Sequence, residues 1–397
     1  MLPGHVESPP QPIDVAPVID WLVGGARGVP PDPEALLPAL SERLRASGIA
    51  IDRAAVFVRP LHPNVAARAL YWRAEQPGVA VNEEGHGFVG SDEHLASPIH
   101  RVTRTRGEVR VRLHAGEPVE TFPVVADLRV GGYTDYLIVP LEFVDGDVHA
   151  LSVATRREGG FRDDEIAALR RALPAVTRMT EILAMRRKSA NILDAYLGRE
   201  AGAKVLQGRI RRGDAERIHA VIWFCDLRES TVLADAIGPE RFLATLNDYF
   251  ECVLSPVMAR GGEVLSFVGD AALAIFRVDA DPSGPATQAV DAAREAIASM
   301  RELNARRAAQ GAPALRFGIG LHVGDVLFGN VGTSARVAFT VVGPATNEAA
   351  RIESMCKVLD ATPLVSAAIA AHTRFAWKTL GTHRLRGVDA PVELYTL

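Results

Sequence analysis

Residues 261–276 read GGEVLSFVGDAALAIF. Apolar residues alternate up to the Gly269–Asp270 pair and then resume, which predicts two β-strands joined by a tight turn with Asp270 at its tip. An acid at a hairpin tip is ordinarily turn chemistry. Here the flanking strands are apolar enough to be buried, so the acid sits on a rigid support.

Upstream, RIHAVIWFCD is a buried strand ending at Asp226, and GPERFLATLNDYFECVLSPVMARGG is a helix with Pro239 near its start and two glycines after its end. Downstream come the helix ATQAVDAAREAIASMRELNARRAAQG, a strand pair in LRFGIGLHVGDVLFGNVG, the strand RVAFTVVG and a helix beginning near Asn347. This order approximates an α+β, ferredoxin-like βαββαβ palm with extra strands, placed from about residue 216 to 397. In such a palm the end of the first strand lies beside the hairpin tip, which brings Asp226 and Asp270 together. Adjacent carboxylates repel unless a cation sits between them. Hard oxygen ligands suit Mg2+ or Mn2+ carried with a nucleotide phosphate. Either aspartate alone would read as a strand-end or turn residue.

TVVGPATNEAARIE (340–353) places Asn347 and Arg351 four apart at the start of a helix, on one face. An amide and a guanidinium there can hold a ribose oxygen and a pentavalent phosphorus. The bland reading is an N-cap asparagine with an exposed arginine.

FCDLREST, GGEVLSFVGDAALAIF, LHVGDVLFGNVG, FTVVGPATNEAARIE and the ending LRGVDAPVELYTL occur in that order without large gaps. Together they resemble the class III adenylate/guanylate cyclase catalytic domain over about 216–397. The resemblance implies a homodimer with active sites shared across the interface. One subunit would give Asp226, Asp270 and the backbone of Leu227 to two metals per site, Mg2+ or Mn2+; the other would give Asn347 and Arg351. The implied reaction is attack of a ribose 3′-oxygen on the α-phosphorus of a nucleoside triphosphate, with pyrophosphate leaving. One metal would lower the pKa of the hydroxyl and the second would neutralise the triphosphate. Asn347 would orient the ribose and Arg351 would stabilise charge on the α-phosphate. Backbone amides from Leu227 through Arg228, Glu229 and Ser230 to Thr231 would cradle phosphate, and Arg386 matches a basic triphosphate-binding position; its bland reading is a surface strand arginine.

The pattern departs from the family at two places. Relatives using ATP carry lysine four residues before the second metal aspartate and aspartate or threonine seven before the asparagine; this chain has Ser266 and Thr340. A serine hydroxyl cannot reach where a lysine would. The glutamate and cysteine used for guanine are absent. Glu229 stands where many relatives have glycine, and its carboxylate must point away from a triphosphate. The expected function is a nucleotide cyclase, with ATP as first substrate and UTP, CTP or GTP as alternatives. A rival of another class is a non-catalytic nucleotide-binding signalling protein, against which retention of both aspartates, Asn347 and Arg351 speaks. A diguanylate cyclase would carry GG[DE]EF where this chain has FVGDAA.

Residues 1–33, rich in Pro and Gly, are expected to be loosely ordered. The segment 34–175 begins with an amphipathic helix (33–48) ending at Gly48. Apolar runs IAIDRAAVFVR, VRVRLH, TDYLIVPLEF and VHALSVATR predict a mixed sheet. A helix then starts at GGFRDDEIAALRRAL with Asp163, Asp164 and Glu165 near its positive end. This segment weakly resembles a GAF domain, implying a sensory module with an unknown small-molecule or protein regulator. Pro174 interrupts the helical pattern. Beyond it Val176, Met179, Leu183, Ala190, Leu193 and Leu197 fall on heptad a/d positions in a 176–215 linker, with Arg186 breaking the seam; an amphipathic helix packed on its own domain is favoured over a dimer stalk. Arg110 and Arg112, in the arginine-rich 100–114, share a strand face expected to be solvated.

At 397 residues two domains are expected. A net charge of −4 gives no pull toward nucleic acid or anionic membrane. Three cysteines with neither metal spacing nor a disulfide framework, no signal-peptide pattern and no run of about 18 apolar residues lead to a cytoplasmic expectation.

Overall fold

The computed structural model describes residues 13–113, 122–388 and 390–397. The chain divides into two compact units, Met1–Ile192 and Leu193–Leu397, so the division falls inside the stretch expected as a linker.

In the first unit α1 (Ala16–Val23) and α2 (Pro33–Ala46) precede β1 (Arg53–Val58), β2 (Ala67–Arg73) and β3 (Ala80–Glu84). Short helices α3 (Asp92–Leu95) and α4 (Pro98–Thr105), β4 (Val109–Arg112), α5 (Val124–Val130), β5 (Asp135–Glu142), β6 (Val148–Thr155) and α6 (Asp163–Leu197) follow. The strands form one sheet in the order β3-β2-β1-β6-β5-β4. Every pairing is antiparallel, so the expected mixed sheet is corrected. The short connections β1–β2, β2–β3 and β5–β6 join neighbours as hairpins, which makes those pairs antiparallel.

The expectation of a loose N-terminus is also corrected from residue 13 onward, while residues 1–12 lie outside the described residues. Val15, Val18 and Leu22 are spaced to face one way and are buried in the core beside Leu37 and Leu40 of α2. Pro174 does not interrupt its helix, because α6 runs through it for 35 residues. Ala172 and Val176, on either side of the proline, are buried in the same core as Met179 and Leu183. Packing there outweighs the hydrogen bond that proline forfeits. Arg110 does not lie on a solvated face: its Nη2 donates to the fully buried Asp135 at 2.6 Å and to the Phe161 carbonyl at 2.7 Å. His114, the end of that arginine-rich stretch, is outside the described residues.

In the second unit α7 (Arg199–Leu206) leads into β7 (Ala215–Leu227), α8 (Ser230–Ile237) and α9 (Pro239–Ala259). The hairpin β8 (Glu263–Val268) and β9 (Ala271–Val278), α10 (Ser283–Ala309) and β10 (Phe317–Gly332) complete the palm. Then come β11 (Val337–Val342), α11 (Pro344–Leu359), β12 (Leu364–Ser366), α12 (Ala367–Ala371), β13 (Lys378–His383) and β14 (Val392–Thr396). The sheet order is β13-β14-β12-β10-β7-β9-β8, with β11 paired to β10. Its palm portion, β10-β7-β9-β8, is antiparallel throughout. The residues read as a strand pair form a single 16-residue strand, β10. Gly324–Asp325 resembles a turn signal, but β7 pairs with β10 continuously from Phe317 to Gly329 and holds it extended.

Strand alternation sorts β7 between two layers. Val221, Trp223, Cys225 and Leu227 pack with Tyr249, Val253 and Val257 of α9 and with the alanine-rich face of α10. Ile218, Ala220 and Ile222 face the other way, toward Ala345 and Ala349 of α11 and Ala201 of α7. On β10 this second face is cleared by glycine. A Cβ at Gly318 would strike the Glu353 carboxyl and one at Gly324 the Ala345 methyl; at Gly320 it would strike the backbone of Ala349 and Glu353. The strand therefore lets α11 approach at backbone distance.

Gly320→Ala should force α11 off the sheet. Overpacking of this kind costs about 1–3 kcal/mol, so the urea midpoint should fall. Because α11 carries Asn347 and Arg351, any activity assigned to them should fall too. An unchanged midpoint would show that the helix is not held at this spacing.

Candidate active site

Asp226 is the twelfth residue of β7 and continues the row that faces α11. Its neighbour across the ladder on β9 is Ala271, so Asp270, in the two-residue turn before it, meets the Asp226 side chain. Gly269 takes a left-handed φ of +64°, as such a turn requires. Asp226 Oδ1 is buried and has no hydrogen-bond partner among the described residues. Burial, reinforced by the charge of Asp270 and a hydrogen bond to it, pushes the Asp226 carboxyl up to about 6.

A third carboxylate joins them. Glu353, on α11, is only 7% exposed and lies over Gly318, the ladder partner of Asp226. Burial and the Asp226 charge push its carboxyl up to about 7, and Arg228 pulls the other way. Sequence reading missed Glu353, because a glutamate two residues beyond Arg351 reads as a solvated helix position. The missed signal is the G-x-G of Gly318 and Gly320 on the facing strand, which admits the helix and buries the side chain.

The Asp226 and Asp270 pair, with a buried oxygen that has no hydrogen-bond partner among the described residues, fits a divalent cation: hard oxygen donors and mutual repulsion both favour one. The Leu227 side chain is buried, and only its backbone is available to a ligand. Among the described residues no group of three or more His, Cys, Asp or Glu has metal-binding geometry.

The strand-to-helix turn 227–231 lies immediately after Asp226. Glu229 is exposed and has φ +57°, a left-handed conformation at the N-cap of α8, with no side-chain capping bond. The glycine of relatives would fit this backbone without strain. The amides of Ser230 and Thr231, in the first turn, are therefore not capped by the chain itself.

Asn347 and Arg351 both project from the exposed side of α11. The helix N-cap is Gly343, so Asn347 is not a capping residue and its bland reading falls. They share the helix with Glu353 but face away from it, so the structure does not bring them to the carboxylates within one chain. Glu348, beside Asn347, bonds His322 Nε2 at 3.3 Å, and His322 Nδ1 meets Ser366 Oγ at 2.9 Å, which ties the first turns of α11 to the sheet. Ser266 lies on β8, where the ladder to β9 shifts register after Val264 and Ser266 pairs with Leu273. Thr340 pairs with Gly329 across the β10–β11 hairpin. Arg386 is exposed in the turn before β14, not on a strand.

Residues 214–397 match the family model for the adenylate and guanylate cyclase catalytic domain. This segment belongs to that family. The chain is also similar to a crystal structure of the guanylyl cyclase Cya2, with 28% identity over 46% of this chain and 92% of that one and a TM-score of 0.41. For the adenylyl cyclase CyaB from P. aeruginosa the values are 24%, 46%, 94% and 0.42. An uncharacterized protein of Mycobacterium tuberculosis, Rv1318c, is 34% identical over 239 residues, 59% of this chain. The match spans 42% of that relative's length. No helix among the described residues is long and apolar enough to cross a membrane.

The raised carboxyl groups of the cyclase domain set the sign of a pH effect. In the window from the ordinary carboxyl range near 4 to about 7, folded Asp226 and Glu353 keep protons that the unfolded chain has released. Their contribution to stability is therefore lost as pH rises through that window. Asp270→Asn removes a charge facing both. Its urea midpoint should gain on that of the wild type as pH rises from about 4.5 to about 7.5. A difference that stays constant or shrinks would mean that the three carboxyl groups do not interact.

Proposed function

We propose that the protein is a nucleotide cyclase that converts a nucleoside triphosphate to its 3′,5′-cyclic monophosphate and pyrophosphate, with ATP the first substrate to test. The observation that carries this reading is the forced approach of Asp226 and Asp270 at the end of β7, inside a segment of the cyclase family. When bound there, Mg2+ or Mn2+, two per site, would supply acidification of the ribose 3′-hydroxyl and neutralisation of triphosphate charge. Asp226, Asp270 and the Leu227 backbone would hold it. The uncapped amides of Ser230 and Thr231 would receive phosphate oxygens, and half-buried Arg228 and exposed Arg386 would add positive charge around the triphosphate.

Asn347 and Arg351 point outward from their own chain, which supports a homodimer in which each subunit completes the other's site. Leu327, Val331, Val337 and Val342 on the β10–β11 hairpin are apolar and exposed, as a surface awaiting a second copy would be. In that arrangement Asn347 orients the ribose and Arg351 balances charge developing on the α-phosphorus. The N-terminal unit would regulate this activity.

Purified protein should be given Mn2+ and each of the four ribonucleoside triphosphates in turn, with products identified by mass. A cyclic product confirms the reaction, and its base reports the specificity. No product from any of them would favour a nucleotide sensor. If the missing lysine limits adenine binding, Ser266→Lys should raise kcat/KM for ATP several-fold; an unchanged ratio across bases would remove position 266 from base selection.

Complementation tests the shared site separately. Asp270→Ala and Arg351→Ala should each be nearly inactive. Mixed in equal amounts, half of the dimers pair one of each and hold one intact site, so activity should return to about a quarter of wild type. No recovery after verified subunit exchange would place all four residues in one chain.

A further inference from the structure

We infer that the N-terminal unit contains a binding site for a small aromatic anion, with the Arg53 guanidinium as the receptor for its carboxylate or phosphate group. A cavity of about 340 Å³ lies beside β1 and β2, walled on its far side by α3, α4 and α5. This is within the size range of small-molecule sites. Phe57, Tyr71, Phe88 and Tyr136 give it aromatic walls. Arg53, the first residue of β1, is 7% exposed, and its Nη1 is buried with no hydrogen-bond partner among the described residues. Its guanidinium carbon sits 5.2 Å from the Tyr71 ring centroid, and Phe57 meets Tyr71 edge-on at 5.8 Å.

An arginine keeps its charge when buried, so an unpaired guanidinium nitrogen in such a place is strongly disfavoured unless an anion reaches it. The acids along the wall do not supply one. Glu84, Glu93 and Asp127 line the cavity, but none forms an ion pair with Arg53 among the described residues, and Glu84 accepts from Asn82 at 2.9 Å. The other cations have separate duties or stand apart. Arg68 is paired with Glu34 and Glu83, and Arg59, at the rim, is exposed to solvent. Burial pushes His94 and His149 down, toward their neutral forms. Arg53 is thus a buried positive charge in an aromatic cavity with no ion-pair partner among the described residues. Elsewhere in this unit buried charge is matched: Asp135 takes Arg110 and the Phe161 amide, and Glu165 takes Arg157 and the Ala50 amide.

As a binding site this stands without the cyclase reading; as a regulatory site it rests on it. The test uses the full chain and 8-anilinonaphthalene-1-sulfonate, a fluorescent aromatic anion, as probe. Saturable binding of one probe per chain is expected, displaced by benzoate or phenyl phosphate but not by benzyl alcohol. The more effective competitor identifies the anionic group. Arg53→Met should weaken probe binding at least tenfold, with Arg53→Lys between the two. Ala69→Leu, which narrows the cavity and leaves the charge in place, should also abolish binding; near-ultraviolet circular dichroism confirms that each variant is folded. Absence of saturable binding by the wild type, displacement by benzyl alcohol as readily as by benzoate, or unchanged affinity in the folded variants would overturn the assignment. Cyclic-nucleotide formation is measured on the same samples. Binding without product retains the site and rejects the cyclase reading, and product without binding does the reverse.

Discussion

Three carboxylates are held where their charges oppose one another, and the second unit is built around that enforced proximity. Asp226 ends a strand buried on both faces, Asp270 is fixed by a two-residue turn between β8 and β9, and Glu353 is pressed in by a helix lying on glycines. None of the three can retreat without unpacking a strand or a helix. Arg228 offsets part of the repulsion, yet Asp226 keeps a buried oxygen with no hydrogen-bond partner among the described residues. The apolar layers around Trp223 and Tyr249 hold the strand that carries Asp226 in place.

The glycines of β10 do two jobs through one geometry. By removing Cβ atoms at positions 318, 320 and 324 they let α11 sink onto the sheet, which buries Ile352, Glu353 and Cys356. The same roll of the helix turns Asn347 and Arg351 outward. Helix periodicity separates residues 351 and 353 by about 200°, so a helix that buries the acid must expose the arginine. The arrangement of carboxylates inward and amide and guanidinium outward follows from that spacing and from the flat, glycine-lined floor beneath it. His322, held by Ser366 and reaching Glu348, fixes the start of the helix against sliding.

What was legible in the sequence was the part that local pattern determines. Alternation on both sides of Gly269–Asp270 is enough for a hairpin, and a strand ending in an acid is enough to place Asp226 beside it. What was not legible depended on partners far along the chain. Glu353 looks solvated until Gly318 is known to lie beneath it. Gly324–Asp325 looks like a turn until β7 is seen to pair straight past it. Pro174 looks like a helix break, and α1 like a loose tail, until the core shared by Ala172, Val176, Val15 and Leu22 is assembled. In each case tertiary burial overrode a local signal.

Buried charge separates structure from function throughout this chain. Asp135 and Glu165 are fully buried, yet each is surrounded by guanidinium and backbone donors that account for its oxygens. Removing either partner would leave an uncompensated charge, and keeping both leaves nothing for a ligand to gain, so these pairs hold loops to strands. Arg53 and Asp226 are the opposite case. Each is placed by a regular strand, and each has a buried polar atom with no hydrogen-bond partner among the described residues. A fold that needed only stability could satisfy such atoms with one substitution, as it does at Asp135. That two strands present an unsatisfied charge of opposite sign, one in an aromatic cavity and one among carboxylates, argues that their missing partners arrive from solution.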